Sequence, residues 1–565
     1  MASAAPEGQG SQWMWMALVA LAAIVSRAVS FSAGLVFDDH LTVMRNYNKD
    51  WISALAAFTS NQSGSFGSNF YRPVLAVWEG ILQSVIGHSV VGWHVAGIAI
   101  HVASALLVFR LMLKLAGRPG LACAAATLFA VHPAHVEGVG WISAMGDPLM
   151  TFFLLLATVC LLRWLQGGAA AWYAGSLLAA AACVLTKEPG VVMPLLVLPA
   201  AWVLPAERRM RRLSFVTATP YFLISMLFLL ARRLVLPAFS TPIYKVSTAQ
   251  MIATWPSALL FYLRHMAWPE AVVPFYPLRM ASGFSLAEFW MPLVLLLAIA
   301  AAVIFALWRL LGVRRAVFCV VWTVLPLAPA LMLKVFANFE LVHDRFLYLP
   351  LVGFCISVAW LLYEATRRMD AAGGARIFLL CVAGLAVVWC LRSLSEELWW
   401  RNDPALYTHA LAITPDNPRA LVNLGDAYMS LGRLDAAAPY FARALQYDPA
   451  SSNAYFGLGL VAYRKGNFAE AELQLAQALR LQQRSDEWEY LARTELKLGK
   501  LDLAERAAAM AVSGDVSWPG PHEALGEVLL AKGDRTGAAA AFAEELRIDP
   551  ASQTARAGLA QAQGR

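Results

Sequence analysis

Up to about residue 395, long apolar runs alternate with short polar breaks; beyond it no run is long enough to cross a bilayer. That alternation restricts the fold more than any other feature. Backbone polar groups in hydrocarbon must be satisfied within their own segment or a closed barrel, and runs this long read as helices. The composition agrees, with 59% hydrophobic and only 14% charged residues. The chain is therefore expected to be all-α, with a polytopic membrane helix bundle over 1–395 and a soluble part over 396–565. About eleven spans are expected, over 13–35, 92–113, 120–131, 148–165, 171–185, 191–204, 214–236, 286–310, 316–335, 346–363 and 376–394.

The net charge of +7 raises the question of nucleic acid, but the basic residues cluster at the ends of apolar runs. They read as topology signals. With the N-terminus inside, Lys114, Arg118, Arg163, Arg208, Arg209, Arg211, Arg212, Arg309, Arg314, Arg315, Arg367, Arg368 and Arg376 fall on one side, which is the cytoplasmic one. Segment 251–268, interrupted by Pro256, is read as a re-entrant or surface helix, and Arg232 and Arg233 as an outward-facing exception. The stretch after Tyr71, Arg72 and Pro73 is read as a helix resting at the interface. The seven cysteines lie in or at the ends of apolar runs without CxxC spacing, which implies neither a disulfide framework nor a zinc site.

After Trp399 and Trp400 the chain repeats itself at about 34 residues, the tetratricopeptide period. Leu424, Gly425, Tyr428, Ala437, Phe441, Ala444 and Pro449 mark one repeat; Gly459, Ala471 and Ala478 recur a period later. A weaker repeat carries Ala504 and Ala511, and another Gly526, Ala538, Phe542 and Pro550. Small residues where helices cross and aromatic ones where a groove is filled indicate an α-solenoid, a form that presents a concave surface to extended peptides.

The polar breaks that share the outer face in this topology hold the candidate chemistry. A carboxylate pair, Asp38 and Asp39, follows the first span. Charges near a span's end sit at the water interface or line a polar cavity, although a solvated loop is an equal reading of such a pair alone. His132, His135 and Glu137 lack the helical HExxH register of a metal site and read as cavity-wall residues. Asp147 reads as a helix cap. Lys187 with Glu188, and His343 with Asp344 and Arg345, must pair or reach a polar cavity, with Tyr348 close behind. Arg345 could hold a phosphate in a forked geometry, or seal two helix ends as half of a charge pair. Bases for a hydroxyl nucleophile and cations for a departing phosphate suit transfer from a lipid-linked sugar.

The ordered motifs FDD, YRP, HPAHVEGVGWISAMGDPL, TKEPG, HDRFLYLPLVGF and WWRNDPALYTHALAITPDNPRALVNLG cover nearly the whole chain. Together they resemble the transmembrane and tetratricopeptide-repeat O-mannosyltransferases of the C-type glycosyltransferase superfamily. The resemblance implies an inverting enzyme that moves mannose or another hexose from a polyprenyl-phosphate donor to a protein Ser or Thr on the non-cytoplasmic face. It implies that Asp38 and Asp39 are the catalytic pair, one of them the base for the acceptor hydroxyl or the group that positions it; charge and topology make Lys187 and Arg345, with His343 and Arg72, the candidates for the donor phosphate. His132, His135, Glu137, Glu188, Asp344 and Tyr348 would line the cavity. The repeats would bind the protein acceptor, and no cofactor or metal would be required. High alanine content suggests a bacterial inner-membrane protein with periplasmic repeats and undecaprenyl phosphate as the carrier. Two other readings fit the same pattern: a non-catalytic membrane-anchored repeat scaffold, and a lipid-linked glycan transporter or ligase.

Overall fold

A computed structural model describes residues 9–44, 50–60, 70–204, 212–236, 246–369, 371–513 and 518–564. Arg208, Arg209 and Arg211 lie outside the described residues. Among those described the chain is helical without strands, and it divides into two compact units, Met1–Leu406 and Tyr407–Arg565.

The first unit holds α1 (Gln9–Val25), α2 (Trp51–Ala54), α3 (Pro73–Ile86), α4 (Val90–Ala116), α5 (Pro119–Ala130), α6 (His135–Gly140), α7 (Gly146–Leu165) and α8 (Ala170–Thr186). It continues with α9 (Pro194–Trp202), α10 (Phe215–Val235), α11 (Thr248–Ala267), α12 (Met291–Leu311), α13 (Val313–Val324), α14 (Pro350–Thr366) and α15 (Ala371–Glu397). Among the described residues six segments are long and apolar enough to cross a bilayer: Val90–Ala116, Ile142–Leu165, Phe215–Val235, Leu286–Leu311, Val313–Leu331 and Gly373–Glu397. With the shorter apolar helices beside them, they make this a multi-pass membrane protein.

Prolines and buried charges trim several expected spans. The first ends at Val25, well before residue 35, because Arg27 follows and is fully buried. Its guanidinium donates to Glu397 Oε1 at 3.3 Å, the His132 carbonyl at 3.1 Å and Ser393 Oγ at 3.1 Å, so the chain turns where protein groups, not lipid, satisfy the charge. Segment 191–204 keeps only nine helical residues, starting on Pro194 and containing Pro199. The helix expected over 316–335 breaks after Val324 into short 3₁₀ turns at Pro326 and Pro329.

Helix direction sorts the charges to opposite ends of the bundle. At one end, near the C-termini of α4, α7 and α14, Lys114 donates to Gln166 Oε1 (3.1 Å) and Arg212 to the carbonyls of Trp164 and Gly168 (2.7 Å each). Arg315 and Arg367 pair with Glu364 there. The opposite end gathers the chain after α1, the N-termini of α4, α7 and α14, and the C-termini of α8 and α15.

The second unit stacks α17 (Pro418–Ser430), α18 (Leu434–Tyr447), α19 (Ser452–Arg464), α20 (Phe468–Leu481), α21 (Ser485–Lys497), α22 (Leu501–Val512), α23 (Pro521–Lys532), α24 (Arg535–Ile548) and α25 (Gln553–Ala562), after α16 (Asp403–Ile413). Glycine is required where an aromatic ring wedges between helices: a Cβ on Gly425 or Gly457 would stand 2.7 or 2.4 Å from the Phe441 ring. Phe542 fills the same role against Gly526 and Gly558 (2.7 and 2.4 Å). Leu475 replaces the ring opposite Gly459. In the weaker repeat Arg493 meets Glu489, Glu523 and Glu527 at 3.0–3.1 Å.

Candidate functional site

The site begins in the loop between α1 and α2. Val36 is buried, and Phe37 adopts a left-handed backbone (φ +51°), a conformation that costs a bulky side chain about 1–3 kcal/mol and needs outside support. The two acids that follow differ. Asp39 is fully buried, whereas Asp38 is exposed.

Asp39 is wired into the protein. Its Oδ1 accepts the Ser143 backbone N–H and hydroxyl (both 2.8 Å); its Oδ2 accepts the N–H groups of Val36 (3.3 Å) and Ile142 (3.4 Å). Thr42 Oγ1 lies 2.8 Å from Ser143 Oγ and tightens the same junction. Burial pushes the Asp39 carboxyl up to about 7, against the opposing pull of these donors. Such an acid fastens the loop to the segment between α6 and α7.

From this loop a run of aromatic contacts leads to the cations. The Phe37 ring centroid is 5.4 Å from that of Trp141, and the Arg345 guanidinium lies 4.8 Å from the other ring's centroid and 5.1 Å from that of Phe346. Lys187 Nζ is 5.8 Å from the Phe346 centroid. These contacts connect Phe37, the residue before Asp38, through Trp141 and Phe346 to Arg345 and Lys187.

Each cation is held by its own acid from a distant segment. Arg345 Nη1 donates to Glu137 Oε1 (2.7 Å) and the Arg345 backbone N–H to Glu137 Oε2 (3.1 Å). His343 Nδ1 lies 3.3 Å from the same carboxylate. Burial, the largest influence on Glu137, raises its carboxyl, yet Arg345 and His343 outweigh it and hold the group below the ordinary range. Lys187 Nζ meets Asp147 Oδ2 at 2.5 Å; burial pulls the amine down while Asp147 opposes the shift. Arg72 Nε donates to Glu188 Oε2 at 2.8 Å. Arg232, the apparent exception to the positive-inside pattern, is buried and interacts electrostatically with Glu188 and Arg72.

The remaining predicted residues sit deeper than a cavity wall. His132 is fully buried, with Nε2 on the Met266 carbonyl (2.9 Å) and Nδ1 accepting the Ala134 N–H (3.2 Å). His135, also fully buried, is ringed by Phe129 and Tyr348 at 4.5 and 4.4 Å. Tyr348 places its hydroxyl 2.8 Å from His101 Nδ1. Asp344 is buried between His265 Nδ1 (2.8 Å) and the Tyr276 hydroxyl. His132, Tyr348 and Asp344 thus find protein partners, as buried polar groups must, whereas His135 is held by ring contacts. Glu188 and Arg72 are only half-buried.

The polar cluster Trp141, Ser143 and Asp147 stands out in the sequence, but its partners, and Asp403 and Arg27, emerge only in the structure. Asp147 is an ion-pair partner of Lys187, not only a helix-start residue. Ser143 and Trp141 carry the link to the acid loop. Asp403 accepts the Phe37 N–H at 2.8 Å and lies 2.8 Å from His40 Nε2. Arg27 could have been found, since an arginine inside an apolar run demands a partner.

Comparison with known proteins follows the same division. Residues 405–454, 422–487 and 456–521 match the tetratricopeptide-repeat family. The chain is 25% identical over 532 residues to "Protein O-mannosyl-transferase Tmtc1" of Drosophila melanogaster, an alignment covering 76% of this chain and 61% of that one. It is 23% identical over 498 residues to "Protein O-mannosyl-transferase TMTC4" of Mus musculus, covering 75% and 65%. The chain thus spans less than two thirds of the length of these relatives. Among solved structures, "YrrB: a TPR protein with an unusual peptide-binding site" matches 28% of this chain and 82% of its own, at 23% identity and a TM-score of 0.25. A multi-pass helical unit followed by tetratricopeptide repeats is thus similar, over three quarters of its sequence, to proteins named protein O-mannosyl-transferase.

Proposed function

We propose that the protein is an inverting glycosyltransferase that moves mannose or a related hexose from a polyprenyl-phosphate donor to a Ser or Thr hydroxyl on the non-cytoplasmic face. The observation that supports this reading is the divergence of the two acids: Asp39 is locked into the protein while Asp38 is exposed, next to Phe37, whose ring contacts Trp141 beneath Arg345. In the reaction the acceptor oxygen forms a bond to the anomeric carbon and gives its proton to the Asp38 carboxylate. The bond from that carbon to the phosphate oxygen breaks, and its electron pair leaves with the phosphate.

Arg345 and Lys187, joined by Arg72, receive the phosphate. Arg345 meets Glu137 through one terminal nitrogen, and a guanidinium carries five donors, so the pairing that fixes it leaves the fork with capacity for an anion. Glu137, Asp147 and Glu188 aim the three cations and lower the local charge, which lets the phosphate depart after transfer. No metal is needed for a monophosphate leaving group stabilised in this way. The repeats bind the acceptor chain, and a bacterial inner membrane with periplasmic repeats and undecaprenyl phosphate as carrier fits the composition.

The test is purified full-length protein with polyprenyl-phosphate mannose and a Ser/Thr-rich peptide, together with mass spectrometry of envelope proteins from cells with and without the gene. A hexose increment on Ser or Thr in both supports the proposal. Its absence in both, with repeat-dependent partner binding retained, favours the scaffold reading instead.

A further inference from the structure

Three contacts tie the acid loop to the segment that follows α15. The Gly34 N–H donates to the Arg401 carbonyl at 2.8 Å, so close that a Cβ on Gly34 would stand 3.3 Å from that oxygen. The Phe37 N–H donates to Asp403 Oδ1 at 2.8 Å, and His40 Nε2 lies 2.8 Å from Asp403 Oδ2. One carboxylate therefore spans the loop, reaching the residue before Asp38 with one oxygen and the residue after Asp39 with the other. The residue it reaches first is the left-handed one, Phe37. A strained conformation persists only where its surroundings over-determine it, and the Asp403 contact to the Phe37 N–H is a direct support for this turn.

We propose that Asp403 is a positioning residue: by accepting the Phe37 N–H and pairing with His40 it holds the left-handed turn that presents Asp38 to the acceptor hydroxyl. This rests on the reading of Asp38 as the base. Asp403 does not touch the reacting atoms in this account. Its side chain is about one-fifth exposed, and it opens α16, whose start an aspartate would favour in any case. Helix-start stabilisation is the structural alternative, and it makes a different prediction about position 37.

Glycine adopts positive φ without penalty, so a glycine at 37 no longer depends on Asp403 to hold the turn. The test is a double-mutant cycle on the full-length protein in detergent, reading kcat and KM for transfer from polyprenyl-phosphate mannose to the Ser/Thr peptide, with the melting temperature of each variant. In the Phe37 background Asp403→Ala is expected to lower kcat about 10- to 100-fold, the range of a strained turn set free, with donor KM changed less than about twofold. In the Phe37→Gly background the same substitution is expected to lower kcat by less than about threefold. Asp403→Asn keeps a neutral acceptor for the Phe37 N–H and should stay within about fivefold of wild type, which guards against a misfolded alanine variant.

An equal loss in both backgrounds, or an asparagine variant as impaired as alanine, overturns the proposal and leaves Asp403 a helix-start residue. Asp38→Asn is run alongside. If it still transfers sugar, the base assignment fails; if it is inactive while the cycle shows no coupling, only the role of Asp403 fails.

Discussion

The two units of this molecule hold themselves together in opposite ways. The repeats rely on neighbours: Phe441 wedges between Gly425 and Gly457, and the arrangement returns in Phe542 between Gly526 and Gly558. The membrane unit relies on single contacts between segments far apart in sequence, such as Glu137 with Arg345, Asp147 with Lys187, Arg72 with Glu188 and Phe37 with Asp403. Redundant local packing suits a scaffold whose register must be uniform. Unique long-range pairing suits a site, where a handful of groups must occupy one geometry and no copy of the contact exists to take over.

If that contrast is right, losing one site carboxylate should do more damage than disturbing one repeat. Glu137→Ala leaves Arg345 and His343 without their shared acid. Breaking a buried pair by removing one partner costs about 3–5 kcal/mol, so the membrane unit should melt markedly lower in detergent and transfer should be lost. A loss below about 1 kcal/mol would show that the pair is dispensable. Gly457→Ala comes next. Its Cβ would fall 2.4 Å from the Phe441 ring, and overpacking of this kind costs about 1–3 kcal/mol. Faster hydrogen exchange should appear in the repeats alone, with transfer at saturating acceptor preserved; a spread of the effect into the membrane unit would break the contrast.

The smallest effect concerns pH. Burial raises the Glu489 carboxyl to about 7, in a cluster where Arg493 serves three carboxylates. Glu495 is raised to about 7 by burial and by Glu472 nearby. Between the unfolded value near 4.5 and the folded one near 7 the native repeats hold more protons than the unfolded chain. The stability these two carboxyls contribute is therefore fully present below pH 4.5 and is lost as pH rises through 7, by about 1–2 kcal/mol from Glu489. Hydrogen exchange of the repeats in the full chain at pH 5.5 and 7.5, corrected for intrinsic rates, measures it. Glu489→Gln should flatten the dependence.

The same contrast decides what could be read without coordinates. Repeat periodicity places Gly425, Phe441 and Phe542 on the page, because a contact that recurs every repeat leaves a recurring residue type. Apolar runs locate the helices, and the polar breaks mark Asp38, Lys187 and Arg345. Pairing is another matter. Nothing in the order of residues says that Glu137 serves Arg345 rather than a metal, or that Asp147 serves Lys187 rather than its own helix end. The histidine motif misleads for a physical reason: His132 and His135 look like cavity residues by composition, but their neighbours Phe129, Met266 and Tyr348 close around them. The two aspartates are equivalent in sequence and differ in structure, since neighbouring residues of the helical turn after Phe37 point to different sides, Asp39 inward and Asp38 to the surface.

That inequivalence supplies the most direct test. Sugar transfer from polyprenyl-phosphate mannose and the melting temperature are measured together for Asp38→Asn and Asp39→Asn. Asp38→Asn is expected to lose transfer by at least about 100-fold, the lower end of the range for a lost general base, with melting lowered less than by Asp39→Asn. Asp39→Asn is expected to melt lower, because its NH₂ would face either the donors of Ser143 or those of Val36 and Ile142, whichever way the amide turns. An Asp38→Asn protein that still transfers sugar at the wild-type rate would contradict the account.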